Sequence, residues 1–149
     1  MKSSNEFLKL LLQLDPDFIE YHKKNIDNWI DRLSPYRDAS EFSLHVGERL
    51  SADGYPLGKK VFGVFEAILS NPTSDKDIIE AIRTCFLERL VNQLSHNYFQ
   101  AAAFVPLLGK LSKEHCQGWD SFSGGPTPGL WTDEEWANRV RYDLMNPKK

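Results

Sequence analysis

At 149 residues, with 41% hydrophobic and 26% charged side chains, the chain has the composition of one globular domain, not of a disordered or membrane-embedded protein. Its net charge of −3 comes without a basic cluster, which argues against nucleic acid as a partner and suits a basic protein surface better. No apolar run approaches the ~20 residues that span a bilayer. The Leu-rich start is broken by Lys9 and Gln13, unlike a secretory leader, and two cysteines, Cys85 and Cys116, offer no disulfide framework. A cytoplasmic protein without membrane contact is expected.

Residues 4–14 carry Phe7, Leu8, Leu10, Leu11, Leu12 and Leu14, a short helix apolar around most of its circumference. Asp15 and Pro16 then read as the N-cap and first position of a second helix. It is expected to reach Leu33, with Phe18, His22, Ile26, Trp29 and Leu33 along one side. Residues 34–38 read as a break. A third helix is expected from near Ser40 through Phe42, Val46 and Leu50 to a left-handed stop at Asp53 and Gly54.

Residues 59–94 form the best-patterned stretch, two helices separated by Asn71, Pro72, Thr73 and Ser74. Tyr55 and Pro56 open the first of them, which carries Leu57, Val61, Val64, Phe65, Ile68 and Leu69 at helical spacing. The second carries Ile78, Ile79, Ile82, Cys85, Phe86, Leu90 and Leu94, a band broad enough to meet helices on more than one side. Ser74, with Asp77 three residues on, resembles a capping box for it. On the opposite face Asp77, Glu80, Thr84 and Glu88 follow at spacings of three and four, one mostly acidic ridge with no interleaved arginine.

Beyond His96 the pattern loosens. Residues 98–105 make one more helix stopped by Pro106, and Ser112 reads as the cap of a short segment ending at Gln117. Residues 118–131 read as a Gly/Pro-rich loop flanked by Trp119, Phe122 and Trp131. Thr132 to Glu135 form a capping box that leads a last helix with Trp136, Val140 and Leu144 on one stripe. Nothing alternates with period two. The fold expected is all-α, a single-domain antiparallel array of about six to eight helices, with HEAT-like stacking of successive pairs as the variant arrangement.

No catalytic, cofactor or metal site is expected. His22, His45, His96 and His115 are scattered; His22 reads as a hydrogen-bonded core residue, and His96 and His115 as helix-end residues. Cys116 and His115 are neighbours that point about 100° apart on a helix and make no nucleophile–base pair. Ser123, Gly124 and Gly125 lack the lysine and preceding strand of a phosphate loop. Glu66 reads as a solvated boundary residue. The acidic ridge has a plain reading as a solvated face and a functional one as a docking stripe for a basic protein. The tryptophans either pin the loop to the body or anchor a binding surface.

Phe62-x-x-x-Glu66-x-x-Leu69, Phe86-Leu87-Glu88-x-Leu90, Pro106-Leu107-Leu108-Gly109-x-x-Ser112 and Trp119 together resemble a group of bacterial all-helical domains, some of them found among toxin-immunity proteins. The likeness covers about residues 7–122. It implies a small helical protein that binds and blocks a cognate toxin domain without catalysis of its own, and it carries over no binding residues. The partner expected is therefore another protein, a toxin domain, with a basic nuclease as the electrostatically matched version. The candidate contact residues are Asp77, Glu80, Thr84, Glu88, Trp119 and Trp131. A helical adaptor that recognises a peptide or helix is the alternative, and a hydrolase with an unrecognised carboxylate pair the least favoured one.

Overall fold

Helices supply every regular element among the described residues 4–25, 34–52 and 54–147 of the computed structural model; of Ser4, Asn5 and Asn25 only the backbone is described. In chain order they are α1 (Ser4–Leu14), α2 (Phe18–Asn25), α3 (Pro35–Ser51), α4 (Gly58–Ser70), α5 (Lys76–Glu80), a π-helical segment (Ala81–Leu87), α6 (Glu88–Ser95), α7 (Ala101–Phe104) running into a 3-10 turn (Val105–Leu107), α8 (Lys110–Phe122) and α9 (Asp133–Met145). This is the all-α, single-domain fold expected.

α5, the π segment and α6 form one continuous rod, with right-handed helical backbone at Glu80, Leu87 and Glu88. It packs on α3 along its length and on α8 from another side. Phe86, fully buried, sits at its centre. The Phe86 ring meets Phe65 at 4.9 Å, Phe62 at 5.4 Å and Phe42 at 5.7 Å between centroids. The ring chain continues to Phe18 through Phe42 and to Phe104 through Phe62. Aromatic pairs at these separations add ~0.5–1.5 kcal/mol each beyond their buried area.

The π segment explains the breadth of the apolar band. Ile78 is buried before it, Ala81 and Ile82 at its start, Phe86 and Leu87 at its end, and Leu90, Val91 and Leu94 after it. Across that turn the stripe advances one residue further than an α-helix allows. A bond from the Glu88 N–H to the Arg83 carbonyl, five residues back, absorbs the extra residue. Cys85, placed on the apolar face by regular periodicity, is only half-buried as a result.

Several local expectations need correction. Pro35 does not break the chain: Ser34 is the N-cap and Pro35 the first residue of α3, where its missing N–H costs nothing. Asp15 does not cap α2, which starts at Phe18, because its carboxylate turns inward to His45 and Tyr55. The second helix was expected to reach Leu33; residues 26–33, with Ile26, Trp29 and Leu33, lie outside the described residues, as does Asp53 at the expected end of α3. Asp75, not Ser74, caps α5 by accepting the N–H groups of Asp77 and Ile78. The expected loop at 118–131 starts later, because α8 runs to Phe122. The capping box at Thr132 and Glu135 is present, and α9 leaves Val140 and Leu144 of its stripe exposed.

Glu66 and Ser112 correct two further readings at once. Glu66 of α4 is no solvated boundary residue, and Ser112 is no cap. The Glu66 carboxylate accepts the Leu111 N–H (2.7 Å), the Ser112 N–H (3.0 Å) and the Ser112 hydroxyl (2.8 Å), so it caps α8 from a different helix. Gly109 permits the approach, since a Cβ there would stand 2.5 Å from the carboxylate. Burial works against the charge, but the bonds from Ser112 and Leu111 outweigh it and hold Glu66 below the usual carboxylate range. A depressed pKa stabilises the fold above the unfolded value and loses that contribution as pH falls through the folded one. Glu66→Ala is expected to cost about 1–2 kcal/mol in urea unfolding at pH 7. The gap from wild type should shrink as pH falls below about 4, where the unfolded-state carboxylate takes up its proton before the folded one does.

Candidate functional site

The π turn decides which candidate residues share a face. Asp77 and Glu80 lie exposed at the start of the rod, and the Tyr36 hydroxyl donates to Asp77 Oδ1 at 3.0 Å. That hydrogen bond is the main reason the Tyr36 phenol is held above its ordinary pKa. Among the described residues neither carboxylate stands within ion-pair distance of a cation. Thr84 turns its hydroxyl back onto the Glu80 carbonyl, 2.8 Å away. Glu88 leaves the stripe. One inserted residue turns everything after it by about 100°, so Glu88 faces α8 and accepts from His115 Nε2 at 2.7 Å. The ridge is therefore Asp77, Glu80 and Thr84 without Glu88, and His115 sits within α8 instead of at a helix end. Beside it, Cys116 is fully buried and burial pushes its thiol up, so the two neighbours stay chemically separate.

The two candidate tryptophans do different things. Trp131 donates its indole N–H to Asp120 Oδ2 at 2.5 Å and packs edge-on against Trp136. Asp120, buried in α8, also accepts the Thr127 N–H at 2.7 Å and the Thr127 hydroxyl. Trp131 thus staples the Gly/Pro loop. Trp119 donates to Asn92 Oδ1 on α6 at 2.9 Å and stacks on Phe122, which is 71% exposed. From Asn92 the aromatic surface continues. His96 Nδ1 donates to the Asn92 carbonyl at 2.8 Å, and its ring stacks on Tyr98, 64% exposed. Across from α6, Leu44 of α3 is 42% exposed. Leu44, Arg89, Asn92, Gln93, His96 and Tyr98 line an open groove of about 210 Å³.

A buried polar network lies on the other side of α3. Asp15 Oδ2 accepts from His45 Nε2 (2.9 Å) and from the Tyr55 hydroxyl (2.6 Å), tying the α1–α2 junction to α3 and to the entrance of α4. Burial and the bond to Asp15 hold the Tyr55 phenol far above its ordinary pKa. One turn closer to the start of α3, Glu41 faces His22 Nδ1 at 3.0 Å and Arg37 Nε at 3.4 Å. His22 is the hydrogen-bonded core histidine expected. Asp38, fully buried, has no hydrogen-bond donor among the described residues and lies 3.9 Å from Arg37 Nη2. Burial pushes its carboxyl up to about 6, against the pull of Arg37 and His22.

Sequence reasoning missed Arg37 and Asp38 because it assigned residues 34–38 to a break, and without Arg37 it left Glu41 unremarked and His45 among the scattered histidines. The signal was Arg37, Glu41 and His45 at intervals of four beside Phe42 and Val46, legible once Pro35 is placed at the helix start. All four are nearly closed to solvent, and together they tie α2 and the α1–α2 junction to α3. Among the described residues no group of three or more His, Cys, Asp or Glu side chains could hold a metal ion, and no helix is long and apolar enough to cross a membrane.

A family model described as a domain of unknown function (DUF7674) matches residues 8–124. The chain belongs to this family. No curated protein and no solved structure matches. The DUF7674 span contains the Glu66 clamp, the Asp15–His45–Tyr55 tie and the groove with Trp119, whereas Trp131 and α9 lie beyond it.

A raised carboxyl pKa destabilises the fold above the unfolded value. Between about pH 4 and pH 6 the folded DUF7674 chain holds a proton on Asp38 that the unfolded chain has released, so this contribution to stability falls as pH rises through that window. Asp38→Asn removes the titration. Its stability relative to wild type is expected to improve by on the order of 2–3 kcal/mol from pH 4 to pH 7. Parallel denaturation curves at the two pH values test this, and an unchanged difference would refute it.

Proposed function

We propose that this DUF7674 domain is a non-catalytic protein-binding domain of the bacterial immunity type, which docks on a cognate toxin domain in the cytoplasm and blocks it. The observation that carries the reading is the exposed aromatic surface from Tyr98 and His96 through Asn92 to Trp119 and Phe122. Trp, Tyr and Arg dominate the energetic centres of protein interfaces, and clustered exposed rings are uncommon on surfaces that meet only water. These rings are also held in advance. Trp119 is fixed by Asn92, His96 by the Asn92 carbonyl, and Phe122 and Tyr98 by stacking, which lowers the side-chain entropy lost on docking.

Asp77 and Glu80 add the electrostatic part. They stand about 24–28 Å along the rod from His96, at ~1.5 Å per residue. With no cation paired to them among the described residues, they favour approach of a basic surface such as that of a nuclease and discriminate against acidic ones. A helical adaptor would use the same groove and differ in its partner.

Co-expression with a toxin encoded beside this gene separates the two readings. An immunity protein protects the cell and forms a complex with that toxin; absence of both effects removes the reading. Tyr98→Ala with Phe122→Ala, at exposed positions, is expected to weaken the complex at least ~30-fold, about 2 kcal/mol. Asp77→Lys with Glu80→Lys should slow association ~10-fold at low salt, and the effect should fade as salt is raised.

A further inference from the structure

The groove between α3 and α6 has a chemistry of its own. At about 210 Å³ it is smaller than the ~300–1,000 Å³ of sites for drug-sized ligands, and its size suits a single large side chain. Leu44 and the Tyr98 ring supply apolar walls. The floor is held rigidly. Gln93 Nε2 donates to the Ser43 carbonyl at 3.3 Å, and Gln93 Oε1 lies where a Cβ on Gly47 would stand, 1.8 Å away. The charge of the lining is one-sided. Arg89 is exposed and, among the described residues, makes no ion pair; His96 lies further along; no Asp or Glu lines the groove.

The π turn put these residues outside. In an unbroken α-helix Ile78 and Ile82 share their stripe with positions 85, 89, 92 and 96, which would aim Arg89, Asn92 and His96 at the core. The extra residue in the turn buries Phe86 and Leu90 instead and hands those three side chains to the surface.

We infer that this groove seats one aliphatic or aromatic side chain of a partner segment that carries a carboxylate beside it, with the apolar group between Leu44 and Tyr98 and the carboxylate on the Arg89 guanidinium. A guanidinium fork matches a carboxylate in two-point geometry and repels a lysine or arginine at the same place. The inference rests on the protein-binding reading and names the chemistry that reading requires of the partner here. It also asks opposite charges of a partner at the two ends of the rod, acid at Arg89 and base at Asp77 and Glu80, which would set its orientation.

The test titrates the 15N-labelled full chain with two synthetic helical peptides, identical except that glutamates in one replace lysines in the other around a single leucine. The glutamate peptide is expected to bind at least ten times more tightly and to shift the amide signals of Leu44, Arg89, Gln93, His96 and Tyr98. Arg89→Glu, at an exposed position, should reverse the preference while the remaining signals keep their places. Equal affinities, shifts centred elsewhere, or no binding of either peptide at millimolar concentration would overturn the inference. So would self-association in sedimentation that Leu44→Asp abolishes, since the occupant would then be a second copy of the chain. Peptide selectivity without toxin protection would sink the immunity reading and leave the groove standing. Toxin protection that survives both Arg89→Glu and Leu44→Asp would do the reverse.

Discussion

One extra residue in the central helix governs most of this structure. Phe86 meets Phe42, Phe62 and Phe65 from a turn, Ala81 to Leu87, that is wound as a π-helix. A π turn weakens local hydrogen bonding and is rarely stable without outside help. Here the help is the burial of Phe86, Leu87, Leu90 and Val91, each fully or almost fully removed from water and contributing on the order of 1.5–3 kcal/mol. Packing outweighs the helix's own periodicity, and two surface consequences follow from the same slip. Glu88 turns into α8 to meet His115, and Arg89, Asn92 and His96 turn outward to build the groove.

The interior polar groups serve a second constraint, the placement of α3 and α8. Buried charges are costly unless paired. Asp15 with His45 and Tyr55, and Glu41 with His22 and Arg37, meet that condition, whereas Asp38 does so poorly and takes up its proton already at about pH 6. Glu66 does for α8 what a local cap would ordinarily do, and from another helix. A helix capped from a neighbour is fixed in position as well as stabilised. That anchors Trp119 against Asn92 and keeps the aromatic surface on α6 and α8 in one piece.

The exposed face therefore inherits its order from the core. Trp119, His96 and Gln93 each spend a hydrogen bond on the protein itself, so the groove is shaped before any partner arrives. Trp131 belongs to a different task. It reaches Asp120 and holds the Gly/Pro loop that carries the chain on to α9, beyond the DUF7674 span.

What the sequence determined by itself is what depends on near neighbours. Helical periodicity, the Thr132–Glu135 capping box, the turn at Asn71 to Ser74 and the all-α class were legible because each involves residues within a few positions of one another. Pro35 shows where local signals run out, since the same residue can end one segment or begin a helix, and its misreading hid Arg37 and Asp38. The rest was decided only by tertiary structure. Glu66 finds Ser112 46 positions away and Tyr55 finds Asp15 40 away, and no local pattern announces either contact. The π turn is the clearest case. The apolar band named from the sequence holds both Cys85 and Phe86, too broad for one α-helical stripe, and the π turn that buries Phe86 and leaves Cys85 half-buried is settled by packing against the phenylalanine rings of α3 and α4.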